Sequence, residues 1–321
     1  MNAWEIEGRQ PVIAPATLHS PHDASRAGAA HVVEMGDRYD MVYWGSDSGR
    51  NYILRAHSPL DRPNRWEAVG APLLGPQPQT EHNCNGPGFP FLLPVAPDYW
   101  LLYFTGWGRR ADGKLPNTTG AALSEDGGRT WHYCARHPVV PLDRPYDREG
   151  TGSVWVLFEG GTFRMYYTAI GRYYERPSGV ETGHGDLIPE IGIAYAESKD
   201  GIHWEKPLDD LVVRPRGFAV SPYEYICSKP CVVREGDTYI LWVNTFGTAY
   251  RVHRLFSADG IHWEWAERVG PGGELGAGEP GAFDDHQRSY PTIVRCGDEY
   301  RCWYTGNGFG TGGIGYAVAK V

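Results

Sequence analysis

"SKDGIHW" occupies residues 198–204 and "SADGIHW" residues 257–263, nearly the same seven residues 59 positions apart. A looser copy, "SEDGGRTW", lies at 124–131. Three occurrences of Ser-x-Asp-Gly followed by Trp make the chain a repeat, and the repeat sets the architecture. Upstream of each copy stand two apolar, aromatic-rich runs joined by a tight turn, as in "SVWVLFEGGTFRMYYTA" (153–169) and "KPCVVREGDTYILWVNT" (229–245). The same form appears at 30–45, 90–106 and 290–306. β-Branched and aromatic residues flanking Gly/Asp turns read as β-hairpins. The aromatics Tyr39, Tyr99, Phe163, Tyr239 and Tyr300 recur every 60 to 76 residues and mark five units.

A third run follows each hairpin, for example "GIAYAESKDG" (192–201) and "GIGYAVAKV" (313–321). After the Asp-Gly turn come Trp and a fourth run, as in "WEAVGAPLLGP" (66–76), "WHYCARHPVVP" (131–141) and "WEKPLDDLVVRP" (204–215). Four antiparallel strands in each of five units, with almost no helical periodicity, predict an all-β, five-bladed β-propeller forming a single domain. The blades are expected at about 16–76, 77–141, 142–215, 216–275 and 276–321. The last unit lacks its fourth run, and "WEIEGRQPVIAP" (4–15) has that form, so the N-terminal strand is expected to close the last blade and remove a sheet edge. The Ser-x-Asp-Gly motif then becomes the turn between third and fourth strands. Its Asp accepts backbone N–H groups, Gly takes positive φ, and Trp packs between blades. On this reading Asp126, Asp200 and Asp259 are structural.

Composition narrows the function. The chain has 321 residues and a net charge of −9, which argues against a nucleic-acid or anionic-membrane partner. No run of apolar residues is long enough to span a bilayer, and the first ten residues lack the pattern of a signal peptide, so a cytoplasmic protein is expected. The six cysteines form no CxxC pair and read as reduced thiols rather than a zinc site.

In a propeller the first strand of each blade lines the central channel. An acid stands just before most of these strands, in "HDASRAG" (22–28), "YDREGTG" (146–152), "YEYICSK" (223–229) and "DDHQRSY" (284–290), while the second blade has "EHNCNGPG" (81–88). Asp23, Glu81, Asp147 or Glu149, Glu224 and Asp285 are therefore expected to converge around the axis, with His22, His82, Arg148, His286 and Arg288 as counter-charges. Asn83 and Trp107 join them as candidate ligand contacts, and the insertions 107–119 and 170–190 as pocket walls. No cofactor is expected. A structural cation in the channel would find Asp285, His286 and Glu224 as its donors.

With "FDDHQRSYPTIVRCGDEYRCWYTGNGFGTGGIGYA" (283–317) and "IGIAYAESKDGIHWEKP" (191–207), the chain resembles the five-bladed propeller glycoside hydrolases, the superfamily of families 43, 32, 68, 117 and 130. The resemblance covers nearly the whole chain. It implies a carbohydrate substrate and a two-carboxylate mechanism, with Asp23 as base or nucleophile and Glu149, or its neighbour Asp147, as proton donor. Two features depart from the superfamily pattern. No Asp precedes the first strand of the second blade, which offers Glu81, His82, Asn83 and Asn85, and no Asp-Pro precedes that of the first. "SEDGGRTW" also fits the Asp-box of sialidases, but those have six blades. A sugar-processing lyase, isomerase or transferase, or a non-catalytic sugar-binding propeller, are the competing expectations on the same fold.

Overall fold

The computed structural model describes residues 3–266 and 273–321. In chain order the strands are β1 (Glu5–Ile6), β2 (Arg26–Met35), β3 (Arg38–Asp47), β4 (Arg50–Pro59) and β5 (Glu67–Ala68). Next come β6 (Pro87–Pro94), β7 (Trp100–Trp107), β8 (Asn117–Ser124) and β9 (His132–Tyr133), then β10 (Gly150–Glu159), β11 (Thr162–Glu175) and β12 (Leu187–Ser198). The last are β13 (Ile226–Glu235), β14 (Thr238–Phe246), β15 (Tyr250–Ser257), β16 (Glu264–Trp265), β17 (Ser289–Cys296), β18 (Glu299–Thr305) and β19 (Ile314–Lys320). They form four-stranded antiparallel sheets β2-β3-β4-β5, β6-β7-β8-β9 and β1-β19-β18-β17. The remaining two units are joined into one seven-stranded sheet by a single parallel pair, Ile191 with Ile226. Part of the fourth expected unit, residues 267–272, lies outside the described residues.

The fourth runs are shorter than the sequence pattern implies. β5, β9 and β16 have two residues each, and the third unit has isolated bridges in place of a strand, the first being Glu197–Glu205. Pro72, Pro138 and Pro207 interrupt three of these runs, and a proline cannot donate to the ladder. Beyond the interruption the chain touches the sheet again, through Leu74 against Ile53 and Val213 against Ile193.

The N-terminal segment does complete the last sheet. β1 pairs with β19, and Ile13, 1% exposed, bridges to Ile314. Deleting residues 3–13 is expected to cost more than about 2 kcal/mol, since burial of Ile13 alone contributes that order. It would also bare the β19 edge. Denaturant melts with light scattering check this; an unchanged midpoint in a soluble variant would contradict it.

The Asp-Gly turns are built as the sequence implies. Asp200 Oδ1 accepts the N–H groups of Ile202 and His203, and Asp259 Oδ1 those of Ile261 and His262. Each turn also docks on the preceding unit. Arg55 Nη1 donates to Gly128 O at 2.8 Å, Tyr103 Oη to Gly201 O at 2.7 Å, and Tyr166 Oη to Gly260 O at 2.9 Å. Trp204 packs edge-on to Tyr103 and Trp263 edge-on to Tyr166, so these repeated tryptophans pack between successive units.

One repeated device carries no obvious sequence mark. Every first strand has a register shift beside a residue in the left-handed region: Ala29, Phe89, Ser153, Lys229 and Tyr290, with φ of 45°, 47°, 39°, 48° and 53°. Such bulges bend a strand sharply. Strain of this kind persists only where the surroundings over-determine it. Here the bulge N–H donates to a side chain at the end of the previous unit's second strand. The pairs are Ala29 to Thr305 Oγ1 (2.8 Å), Ser153 to Thr105 Oγ1 (2.8 Å), Lys229 to Thr168 Oγ1 (2.9 Å) and Tyr290 to Asn244 Oδ1 (2.7 Å). At the fifth bulge Trp44 replaces the hydroxyl and stacks on Phe89 at 5.6 Å. The first strands contact one another in succession, β2 with β6, β6 with β10, β10 with β13, β13 with β17 and β17 with β2.

Lys229 is the anomaly among them. Its side chain is enclosed (1% exposed), Nζ has no hydrogen-bond partner among the described residues, and its one compensation is the face of Trp155, 5.9 Å away. Burial pushes its pKa down to about 8, from the 10.5 of a solvated lysine. His31, Cys231 and Cys302 are the titratable groups around it; burial holds His31 neutral and keeps both thiols protonated. Lys229→Met is expected to stabilise the fold by about 1–3 kcal/mol at neutral pH, because it removes an unsatisfied buried polar group. The pH dependence has a definite sign. Between about 8 and 10.5 the unfolded chain holds a proton that the folded chain has lost, so this lysine makes stability rise with pH across that window. Unfolding midpoints of both proteins across it check the point; a slope that survives in Lys229→Met would contradict it.

Candidate functional site

The acids singled out in the sequence sit in separate hydrogen-bond networks. Asp23 is fully buried (0% exposed). Its Oδ2 accepts the His19 N–H at 3.0 Å, the Leu18 N–H at 3.4 Å and the Tyr43 hydroxyl at 3.2 Å. Asp147, also 0% exposed, accepts the Arg144 N–H, the Tyr167 hydroxyl at 2.8 Å and Lys206 Nζ at 2.5 Å. Asp284, which the sequence pattern did not distinguish from Asp285, takes the Tyr304 hydroxyl at 2.7 Å and Arg288 Nε at 2.6 Å. In all three the tyrosine stands 20 residues after the acid, on the second strand. These carboxylates tie the approach to each first strand onto its own sheet. Both Asp23 and Asp147 are shut off from solvent here, which speaks against the catalytic roles the sequence pattern implied for them.

The other candidates disperse. Glu224 is locked to Arg216, whose N–H and Nε donate to Oε1 and whose Nη2 donates to Oε2 at 2.7 Å, beside a cavity of about 230 Å³. Arg148 donates to Gly171 O and lines a separate cavity of about 340 Å³ near the base of the 170–190 arm. Asp285 accepts the Gly281 N–H and the Asn307 amide, which hold its pKa below the usual range, and His286 beside it is exposed. Arg288 is paired with Asp284. His22 packs edge-on to Tyr52. Asn83 is buried and donates to Gln77 Oε1. Trp107 joins a cluster with Trp44 and Phe89, its ring laid against Gly88, where a Cβ would come within 2.2 Å. Among the described residues no three His, Cys, Asp or Glu side chains converge to hold a metal. The six cysteines are unpaired.

One cavity does bring candidates together. It measures about 420 Å³ and includes Glu81, His82 and Glu149 in its lining. Its walls are the link into the second sheet, the β7–β8 connection and the link leading to β10, so the 107–119 insertion builds a wall as its length implied. Glu149 Oε1 accepts Lys114 Nζ at 3.1 Å and Oε2 accepts Arg110 Nη2 at 2.9 Å, while Arg110 also pairs with Asp112. Burial pushes the Glu149 pKa up, but the Lys114 and Arg110 hydrogen bonds outweigh it and hold the carboxyl below the usual range. It is ionised at neutral pH, the opposite of what a proton donor requires. His82 is buried and pushed down to about 4, hence neutral, with Nδ1 3.4 Å from the Thr118 hydroxyl. Arg109, Arg110, Arg136 and His137 add basic groups to the lining. No motif announces these four, because they come from two segments that meet only in the fold.

The fold is that of the propeller-type glycoside hydrolases. A solved structure described as a glycoside hydrolase aligns over 100% of this chain and 93% of its own with a TM-score of 0.74 and 16% identity. A thermostable family-43 glycoside hydrolase aligns over 96% and 92% with a TM-score of 0.63 and 12% identity. A member of the family of mannoside phosphorylases described as containing glycoside hydrolases that target β-1,2 mannosidic linkages aligns over 99% and 94%, with a TM-score of 0.67 and 13% identity. No family model matches the chain. It belongs to the family of the uncharacterized proteins MT1551 and Rv1502 of Mycobacterium tuberculosis, each 34% identical over 231 residues, 70% of this chain and 69% of theirs.

Proposed function

We propose that the protein is a closed five-bladed propeller acting as a glycoside hydrolase, with its sugar bound in the 420 Å³ cavity rather than on the axis. The cyclic contacts of the five first strands support the closed ring. The observation that carries the function is the presence of two carboxylates, Glu149 and Glu81, in one cavity of the size sugars occupy, with Glu149 held ionised by two cations. Glu149 then serves as the base or nucleophile, the reverse of the proton-donor role the superfamily pattern implies, and Glu81 is the acid that protonates the leaving oxygen. His82, neutral, and Asn117 are hydrogen-bonding partners for sugar hydroxyls.

A second reading has its own support. Both Glu149 oxygens are occupied and the buried aspartates are shut off from solvent, as a non-catalytic sugar-binding propeller would allow. A panel of furanosides and pyranosides incubated in ¹⁸O-water decides between them. Hydrolysis yields labelled sugar; binding alone yields a raised melting temperature without product. Unlabelled, unsaturated or rearranged sugar would mark a lyase or isomerase and overturn hydrolysis.

A further inference from the structure

The cavity is more basic than the chain around it. Acids outnumber lysines and arginines 39 to 30 over the whole sequence, yet the lining holds Arg109, Arg110 and Arg136 against Glu81 and Glu149. Arg110 is already spent on Asp112 and Glu149. The side chains of Arg109 and Arg136 make no hydrogen bond or ion pair among the described residues, whereas ion pairs engage most of the other arginines. The exposed His137 stands next to Arg136 on the same wall. The committed cations neutralise Glu149, so the charge left facing the cavity is positive.

Neutral sugars are recognised by amides, carboxylates and hydroxyls that match their hydroxyl groups. Guanidinium groups without partners offer planar, paired donors suited to a carboxylate or a phosphate. Accordingly we propose that the sugar taken by this cavity carries an anionic substituent, a carboxylate or a phosphate ester, held by Arg109 and Arg136. This rests on the cavity being the sugar site and names the class of sugar. Both arginines are exposed, so solvent and salt screen the contact and the preference is modest.

Calorimetric titration tests this with glucuronate, galacturonate and mannuronate, their parent hexoses and the hexose 6-phosphates. The expected result is a roughly tenfold tighter binding of the acidic form of the preferred hexose over its neutral form, the size of one partly screened charge-assisted contact. The preference shrinks at about 0.5 M salt, where the screening length is a few ångströms. Whether uronate or phosphate wins identifies the source of the charge. In an Arg109→Gln, Arg136→Gln double variant the acidic-to-neutral ratio falls to near one, and Arg136→Lys recovers part of it. Equal affinity for neutral and acidic forms, or a ratio that survives in the double variant, would overturn the inference while leaving the sugar site standing. If none of these sugars binds, the assignment of the cavity falls and this inference with it.

Discussion

Lys206→Met is expected to destabilise the protein by about 3–5 kcal/mol, the cost of leaving a buried charge without its partner. Lys206 Nζ, 3% exposed, reaches from the fourth run of the third unit to Asp147 Oδ2, to Asp143 Oδ1 at 2.7 Å and to the carbonyl of Pro141. Asp147 in turn holds the Arg144 N–H and the Tyr167 hydroxyl, so the pair joins the approach to β10, its neighbour β11 and the outer run. Removing the ammonium strands Asp147 in a dry site. Adding Asp147→Asn to Lys206→Met removes the stranded charge and should restore part of the loss, although the tie between the runs stays broken. Urea melts of the single and double variants measure both effects. A single variant within about 0.5 kcal/mol of the parent, the range of ordinary surface changes, would show that the pair does not anchor the third unit.

Glu149→Gln is expected to lower turnover by about 10²–10⁴-fold, the range for loss of a base or nucleophile acting on the reacting bond. Its effect on stability should stay within about 1 kcal/mol, because its partners Arg110 and Lys114 are part-exposed and solvent takes up much of their charge. That contrast separates catalysis from structure. The ionised state of Glu149 also predicts a pH profile. With its pKa below the ordinary 4.5, the acid limb of kcat/KM lies below that value, and activity persists where an ordinary glutamate would already be half protonated. An acid limb above 4.5, or a Glu149→Gln enzyme with full turnover, would remove Glu149 from the chemistry.

Much of the fold was legible because the repeat is written in residue types that only one backbone geometry uses. Ser-x-Asp-Gly fixes an Asp-bonded turn, and the lone Trp-led segment at 4–15 has a place only beside β19. The bulges were not legible. Ala29, Phe89, Ser153, Lys229 and Tyr290 share no side-chain chemistry, and what stabilises them lies on the neighbouring unit. The acids were legible, but what surrounds them was not. A carboxylate just before a first strand looks the same in sequence whether it faces a ligand or accepts a tyrosine hydroxyl. The tyrosine 20 residues later, at 43, 167 and 304, was the available signal for the second role. Glu149 differs from Asp147 by two positions, enough to turn it out of the buried tie and towards Arg110 and Lys114.

The proposed chemistry depends above all on a location, the cavity of Glu81 and Glu149 instead of the axis. A crystal structure of the Glu149→Gln variant soaked with the best-bound sugar or glycoside reads that location without intermediaries. A sugar ring is expected within hydrogen-bond reach of residue 149 and Glu81, between the 107–119 connection and the link before β10. A sugar lodged instead over Trp44, Trp107 and Tyr290, beside the bulges of the first strands, would return the site to the axis and refute the cavity assignment.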